Sequence, residues 1–359
     1  MTEESLLQPP STIDTISDNL SSLAAKTQSP TTAIFIVGCS QSGKTLLSNM
    51  LNTLPDIFSF RELHFFERLW QIEDNQALPV DEAAQLYAML EETQENGILN
   101  IPQKMPQKNR MGTVQQGKQP PENTTAPHIY MSFLTDYAQQ KKPGAIPCEQ
   151  TPTNVLFINE ILELWPRARI IHMIRDPRDV FLAKKRKWRN IHRTGQQIPW
   201  QEIIRQKINL HPYFVASVWK ADATAADSAK DRIYNLRFED LINQPEKHFQ
   251  KVCKFAGIPY DESLKVIRDN LLPNLLPGTG KTGNWQQNRL LDMTDQFIIQ
   301  TMTMKGLHTF QYPVEKAMPN ILTLFWYIIS FPVRIMLAVV ANKNRVRHIR
   351  KAIRRRMAF

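Results

Sequence analysis

Cysteine and glycine are both scarce in this sequence. Of its 359 residues, three are cysteine (Cys39, Cys148 and Cys253) and 12 are glycine. An odd number of widely spaced cysteines predicts neither a disulfide framework nor a zinc cluster, and it favours a reducing compartment. The low glycine content excludes a collagen-like repeat. With 42% hydrophobic and 22% charged residues, the composition also excludes a mainly disordered chain and a polytopic membrane protein.

The first 30 residues lack an apolar run and are rich in Ser, Thr and Asp. We therefore expect residues 1–30 to form a flexible arm rather than a signal peptide. Together with the scarce cysteines, this favours a cytoplasmic protein.

Acidic residues are absent from the C-terminal tail. The net charge of the chain is +10. After Asn342 the sequence has eight basic residues: Lys343, Arg345, Arg347, Arg350, Lys351, Arg354, Arg355 and Arg356. Without those eight, 36 basic residues stand against 34 acidic ones. The charge therefore predicts an anionic partner at the C-terminus, either a membrane or nucleic acid, and it argues against nucleic-acid binding by the whole chain.

One long apolar run, ILTLFWYIISFPVRIMLAVVA over residues 321–341, precedes this tail. Its 21 residues are nominally enough to span a bilayer, but Pro332 and Arg334 interrupt the second half. We therefore expect residues 319–359 to form a kinked interfacial helix and a basic tail that bind the anionic inner face of a membrane. The alternative is a C-terminal core helix with a solvated basic end.

Strand-like and helix-like segments alternate between residues 31 and 315. Short apolar runs predict buried strands from Ala33 (AIFIVG), over residues 169–174 (RIIHMI) and over residues 232–238 (RIYNLRF). Helices are predicted over residues 81–93, 128–142, 153–164 and 245–257, and from Pro177 onward. This alternation predicts an α/β domain of three layers, with a central parallel sheet flanked by helices. Residues 94–127, polar and proline-containing, are expected to form an exposed insertion.

A phosphate-binding pattern follows the first predicted strand. Residues 38–45, GCSQSGKT, fit G-x-x-x-x-G-K-[ST] and lead into a predicted helix. The N–H groups of such a turn and the dipole of its helix converge on one point and favour an anion there. Lys44 adds a positive charge and Thr45 a hydroxyl. The segment predicts a P-loop-like phosphate site, although a pattern this short also arises by chance.

A P-loop kinase or ATPase is one alternative that this pattern raises. Such an enzyme also needs an acidic residue for magnesium, usually at the end of an apolar strand. Asp176, after RIIHMIR, is the best candidate. However, Asp176 is followed by Pro177 and equally resembles the cap of a helix.

The segment RIIHMIRDPRDVFLAKKRKW, residues 169–188, resembles the 3′-phosphate-binding motif of sulfotransferases that use 3′-phosphoadenylyl sulfate (PAPS). Its strand delivers Arg175 to the edge of the sheet where ligands of such folds bind. Three further stretches are similar to segments of this family: LPDIFSFRELHFF (54–66), CEQTPTNVLF (148–157) and RIYNLRFEDLINQPEKHFQKVCKFAGIPYD (232–261). The second of them resembles the Glu-Lys-Thr-Pro segment of bacterial and Golgi-type members. A fourth, GTGKTGNWQQN (278–288), is similar to a late loop that closes over the nucleotide. The resemblance covers roughly residues 33–313.

The resemblance implies a sulfotransferase that moves a sulfuryl group from PAPS, without a metal, to a hydroxyl or amine of a small-molecule, lipid or glycan acceptor. Glu62 would be the catalytic base, with Lys44 and His64 as further catalytic residues. The residues implied in nucleotide binding are Gln41, Ser42, Gly43, Lys44, Thr45, Arg175, Ala183, Lys281, Gly283 and Trp285. No nucleic-acid partner is expected.

Several positions depart from the family pattern. Gln41 stands where the family usually has Arg or Lys, Gln150 where it has Lys, and Ala183 where it has a phosphate-binding Ser. Lys184 and Lys185, or Lys281, are candidate replacements for that serine. These departures keep a third function open, a catalytically silent nucleotide-binding relative.

Plainer structural roles also stay open for individual residues. Glu62 could pair on the surface with Arg61 or Arg68, and His64 could be a core histidine. Arg178 could pair with Asp179, Trp285 could anchor the core, and residues 184–187 could form a solvated helix face.

Overall fold

In a computed structural model of the chain, the described residues are 32–70, 76–97, 124–193, 208–260, 283, 285–286 and 290–342. The predicted arm at residues 1–30, most of the insertion predicted at residues 94–127, Lys281 and the basic residues after Asn342 lie outside them.

Five parallel strands form the sheet in the described part of the chain. They are β1 (Ile34–Val37), β2 (Ile57–Ser59), β3 (Ile146–Glu149), β4 (Arg169–Ile174) and β5 (Tyr234–Arg237). Their order is β2-β3-β1-β4-β5, and every neighbouring pair is parallel. The predicted parallel α/β sheet is confirmed. Because β1 lies at the centre, the loop that follows it opens in the middle of the carboxyl edge.

The described helices run as follows along the chain: α1 (Lys44–Asn52), α2 (Phe65–Arg68), α3 (Val80–Asn96), α4 (Ala126–Lys141), a 3-10 helix (Pro152–Phe157), α5 (Ile158–Leu164), α6 (Pro177–Arg193), α7 (Pro212–Ser228), α8 (Phe238–Asn243), α9 (Pro245–Ala256), α10 (Met293–Thr309) and α11 (Ile321–Asn342). Of the residues predicted to begin and end the insertion, 94–96 belong to the end of α3 and 126–127 to the start of α4.

The sheet is buried on both faces, which gives the three predicted layers. Phe35 and Val37 of β1 pack in a core with α3, α4 and α5. Ile34 and Ile36, which point the other way, pack with α1 and α9. Successive side chains of β1 point to opposite faces of the sheet, so this one strand contributes to two separate cores.

The apolar run at 321–341 forms α11, which continues past Pro332 as a helix. One face docks on the body: the Tyr327 hydroxyl donates to Asp295 Oδ1 at 3.0 Å, and Phe331 packs against His211 and Tyr213. The other face is exposed and apolar, with Leu322 80% and Trp326 62% exposed. The alternative prediction, a C-terminal core helix, therefore holds for the docked face of α11 but not for its exposed face. Counting the described residues alone, no helix is long and apolar enough to cross a membrane.

Candidate active site

The loop after β1 has two positions with a positive φ that favours glycine. Gly38 has φ +129° and Gly43 has φ +97°. A Cβ at Gly38 would lie 2.2 Å from the carbonyl oxygen of Met173, and one at Gly43 would lie 2.3 Å from the Phe238 ring. Gln41, between them, also has a left-handed backbone, with φ +74°. The loop therefore turns tightly against β4 and α8 and ends at the N-terminus of α1.

Polar groups of this loop lie at the point where an anion is expected. Lys44 is buried, and its Nζ donates to the Cys39 carbonyl oxygen at 3.0 Å. Burial lowers the pKa of Lys44, although the nearby charge of Glu62 opposes this shift. The Ser42 hydroxyl is fully buried and has no hydrogen-bond partner among the described residues. Thr45 is exposed on the first turn of α1. Such a set of donors fits a phosphate-like group.

Arg175 follows β4 and reaches the same loop. Its Nη1 donates to the carbonyl oxygen of Gln41 at 3.2 Å, and its guanidinium lies 4.4 Å from the centre of the Phe238 ring. Arg175 is buried, and within the described chain its Nε has no hydrogen-bond partner. A buried guanidinium with an unused N–H beside a phosphate loop suits a second anionic group.

Asp176 is not available as a magnesium ligand. Its two carboxylate oxygens accept hydrogen bonds from Arg178 Nε at 2.9 Å and Arg178 Nη2 at 2.6 Å. Asp176 also accepts the Arg178 backbone N–H at 2.9 Å, at the start of α6. The helix-cap interpretation is therefore confirmed, and the kinase interpretation loses its candidate aspartate. Among the described residues, no group of three or more His, Cys, Asp or Glu side chains could hold a metal.

Arg178 and Asp179 do not pair with each other, contrary to one alternative considered above. Asp179 instead accepts the backbone N–H groups of Gly283 at 3.1 Å and Trp285 at 3.0 Å. Trp285 is 5% exposed and its ring lies under the Arg178 guanidinium. Asp179 thus ties the late loop to α6, and Trp285 packs in the core. A contact of Trp285 with the nucleotide stays a prediction.

Lys184 and Lys185, the candidate replacements for the serine that Ala183 lacks, have different partners in the structure. Lys185 forms an ion pair with Asp295 and donates to the Leu290 carbonyl oxygen at 2.9 Å, so it is engaged with α10. Lys184 is half-buried, and its charge contributes to lowering the pKa of Lys44. Of the two, Lys184 is therefore the residue whose charge acts on the phosphate loop.

Glu62, His64 and Glu67 form a connected group near Lys44. His64 Nε2 lies 3.3 Å from Glu62 Oε2, and His64 Nδ1 lies 2.8 Å from Glu67 Oε1. Burial alone would lower the pKa of His64, but the hydrogen bonds to both carboxylates raise it to about 9. His64 is therefore an imidazolium at neutral pH, flanked by two carboxylates.

Glu62 contacts His64 rather than Arg61 or Arg68. Burial raises the pKa of Glu62, but the hydrogen bond from His64 and the charge of Lys44 outweigh it, so that the pKa is lowered overall. Its carboxylate is about half exposed, at 45%. Glu62 is thus ionised at neutral pH and accessible to a substrate proton.

Sequence reasoning missed Glu149 as a residue of this site. Glu149 is fully buried at the end of β3 and accepts the Leu63 backbone N–H at 3.2 Å, next to Glu62. Its neighbour Thr151 accepts the His64 backbone N–H at 3.1 Å. A charged residue that ends a buried strand, inside the segment CEQTPTNVLF, was the available signal. Gln150, the predicted departure from the family pattern, donates to the Phe60 carbonyl oxygen at 3.2 Å.

The chain matches the model of a known protein family. A model described as the sulfotransferase family matches residues 33–262. The protein-tyrosine sulfotransferase of Drosophila melanogaster is 25% identical over 232 residues, which are 64% of this chain and 39% of the fly protein. The omega-hydroxy-beta-dihydromenaquinone-9 sulfotransferase of Mycobacterium tuberculosis is 29% identical over 110 residues, which are 30% of this chain and 28% of that protein. The matches thus span well under half of either relative.

Among solved structures, the sulfotransferase domain of the Synechococcus PCC 7002 olefin synthase is similar, with 20% identity and a TM-score of 0.46. The superposition covers 79% of this chain and 95% of that one. The family model alone, which extends from β1 past α9, matches well over half of the residues. The chain therefore belongs to the sulfotransferase family.

Proposed function

We propose that this protein transfers a sulfuryl group from PAPS to a hydroxyl or amine of an acceptor. The observation that carries the proposal is the pair of buried donors at the carboxyl edge, Ser42 Oγ and Arg175 Nε, which have no partner among the described residues. They lie on two adjacent strand ends, as expected for a ligand with two separate anionic groups. When bound, PAPS supplies the sulfuryl group and a good leaving group, 3′,5′-adenosine bisphosphate.

The phosphate loop and Arg175 divide the two anionic groups between them in this proposal. Lys44, Ser42, Thr45 and the N–H groups at the start of α1 hold the 5′ end, where negative charge develops during transfer. Arg175 holds the 3′-phosphate. The roles of Gln41, Ala183 and Trp285 in nucleotide binding remain part of this proposal.

Glu62 serves as the base. The bond between sulfur and the 5′-phosphate oxygen breaks, a bond between sulfur and the acceptor atom forms, and the acceptor proton moves to the Glu62 carboxylate. The His64 imidazolium fixes the orientation of that carboxylate, since its Nε2 lies 3.3 Å from Glu62 Oε2. Lys44 neutralises charge on the opposite side of the transferred group.

Thermal unfolding of the full-length protein in mild detergent tests the donor. We expect stabilisation by 3′,5′-adenosine bisphosphate, by about 2.7 kcal/mol at roughly 100 times its dissociation constant. Arg175→Gln should remove most of this effect, whereas Arg189→Gln, at an exposed position of α6, should not. Stabilisation by magnesium-ATP alone would instead support a kinase. Bisphosphate binding without sulfate transfer to any acceptor in a broad panel would support a silent relative.

We further propose that α11 lies on the anionic, cytoplasmic face of a membrane and that the acceptor is a small molecule, lipid or glycan presented there. The exposed face of α11 is apolar and includes Phe325 and Trp326, both 62% exposed. Eight basic residues follow the helix in the sequence, and such a cluster favours anionic lipid. All three cysteines are free, consistent with a reducing compartment.

Vesicle flotation tests the membrane proposal. The protein should float with vesicles that contain 30% phosphatidylserine, at about physiological salt, and much less with pure phosphatidylcholine. Replacing Phe325 and Trp326 by Ser should weaken binding to the anionic vesicles. The matched control replaces Val314 by Ser, at a 43% exposed apolar position outside α11. Equal binding by the double variant and the control would overturn the proposal.

A further inference from the structure

A buried carboxylate lies beneath the segment that carries Glu62 and His64. Glu149 ends β3, is 1% exposed, and sits in register with Phe35 of the central strand. It accepts the backbone N–H of Leu63 at 3.2 Å and of Thr151 at 3.0 Å. The Thr151 hydroxyl also donates to it, as does Asn154 Nδ2, at 2.6 Å. Since all these groups are donors, the network suits an ionised carboxylate.

Thr151 extends the network by one residue along the chain. While its hydroxyl donates to Glu149, its Oγ1 accepts the backbone N–H of His64 at 3.1 Å. His64 has φ +53°, a left-handed conformation that is uncommon for residues other than Gly, although His, Asn and Asp adopt it more often than the rest. Such a conformation persists only where the surroundings hold it. Glu149 and Thr151 together hold two consecutive peptide units directly after Glu62.

We propose that Glu149 is a positioning residue for the transfer reaction, which holds the backbone of Leu63 and His64 so that Glu62 and the His64 ring stay in mutual contact. The catalytic consequence rests on the proposed function, because it serves the base of that reaction. The structural part does not, because it concerns only contacts within this chain.

The electrostatics of Glu149 agree with this role. Burial raises its pKa to about 7, against the hydrogen bonds from Thr151 and Leu63 and the charge of His64, which lower it. Glu149 also interacts electrostatically with Tyr130 and Cys148, and burial raises the pKa of each, so both stay neutral. The network therefore weakens as the pH falls below about 7, where Glu149 takes up a proton and loses one acceptor site.

NMR titration of the His64 imidazole nitrogens in the full-length protein tests the contact, with His64→Gln to assign the signal. We expect Glu149→Gln and Thr151→Val to lower the His64 pKa by about one unit or more, because the ring loses its alignment with Glu62 and Glu67. Thr151→Ser keeps the hydroxyl and should titrate like the wild type. Glu163→Gln removes an exposed carboxylate of α5 and is the matched control.

Two further readouts separate positioning from general damage. The affinity for 3′,5′-adenosine bisphosphate should stay within about twofold in all four variants, because the phosphate loop is a distinct contact set. The rate of bisphosphate release from PAPS should fall about 10²-fold in Glu149→Gln and Thr151→Val only, because a displaced base loses its geometry.

An unchanged His64 pKa in folded Thr151→Val and Glu149→Gln would overturn the proposal. If Glu149→Gln does not fold, the Thr151→Val and Thr151→Ser pair decides. A wild type that binds no bisphosphate would refute the proposed function while the titration still reports on the contact.

Discussion

The guanidinium of Arg178 lies 3.6 Å from the centre of the Trp285 ring. Arg178 is fully buried, and its guanidinium donates to the Asp176 carboxylate, to Gln300 Oε1 at 2.7 Å and to the Pro313 carbonyl oxygen at 2.7 Å. One side chain thus joins the start of α6, the late loop, α10 and the segment before α11. Arg178 therefore supports the carboxyl edge of the sheet through contacts within the protein.

Replacing Arg178 by Met should destabilise the protein by about 3–5 kcal/mol, because it leaves the buried carboxylate of Asp176 without its charge partner. Urea unfolding measures this change. Arg189→Met, at an exposed position of the same helix, should change the free energy of unfolding by less than about 0.5 kcal/mol. Equal stabilities of the two variants would mean that the Arg178 contacts do not support the fold.

Glu62→Gln should lower the transfer rate about 10²–10⁴-fold, because the amide cannot accept the acceptor proton. The affinity for 3′,5′-adenosine bisphosphate should be retained, since Lys44, Ser42 and Arg175 are unchanged. Release of bisphosphate from PAPS, measured with a panel of phenols, lipid alcohols and amino sugars, reports the rate. Glu67→Gln, on the other nitrogen of His64, should cause a smaller loss. Retained turnover in Glu62→Gln would refute its assignment as base.

The His64 imidazolium should make stability depend on pH above neutrality. Its folded pKa, about 9, lies above the ordinary value of 6.5. Its stabilising effect is therefore fully present below pH 6.5 and is lost as the pH rises through about 9. Between pH 7 and pH 9 the free energy of unfolding should fall by about 2 kcal/mol from this group.

His64→Gln is the control for this pH dependence. Among the described residues, two other histidines have strongly shifted pKa values: burial lowers the pKa of His172 and of His211 to about 4. These two groups therefore affect stability below pH 6.5. The pKa of Glu149 is raised to about 7, so this group changes the free energy of unfolding at pH values between its unfolded pKa and about 7. Urea unfolding at closely spaced pH values should thus show a fall between pH 7 and pH 9 in the wild type that His64→Gln lacks. A parallel fall in both proteins would assign the effect elsewhere.

The sequence predicted β1, β4 and β5, and it missed β2 and β3. β4 was predicted with its observed bounds, because most residues of RIIHMI are β-branched or apolar. In the structure, all but its first residue are buried. β2 and β3 have only three and four residues, IFS and IPCE. Segments so short, one of them with a proline, show no periodicity, and the sheet alone makes them strands. The helices α7 and α10 were likewise not predicted.

The candidate site was predictable where the chain itself brings the groups together. The loop at residues 38–45 and the strand before Arg175 are local patterns, so their residues were named from the sequence. The roles of Glu149 and Asp179 depend on contacts with residues 86 and 106 positions away in the sequence. No local pattern encodes such contacts, since they arise when the strand ends meet at one edge.

Tyr327→Phe should loosen the docking of α11 on the body. The Tyr327 hydroxyl donates to Asp295 Oδ1, and the same carboxylate pairs with Lys185 of α6. Because the Asp295 side chain is fully buried, the lost hydrogen bond should cost about 1.5–3 kcal/mol.

Hydrogen exchange measured by mass spectrometry should then show faster exchange in α11 and in α10 near Asp295, with the sheet unchanged. Tyr213→Phe, whose ring packs against Phe331 at the same junction, controls for the loss of a hydroxyl. If α11 is held by its aromatic packing alone, the two variants will exchange alike, and Asp295 will not link α6 to the C-terminal helix. If Tyr327→Phe alone exchanges faster, the Asp295 carboxylate links α11 to α6, the helix that begins within the RDPRDV segment.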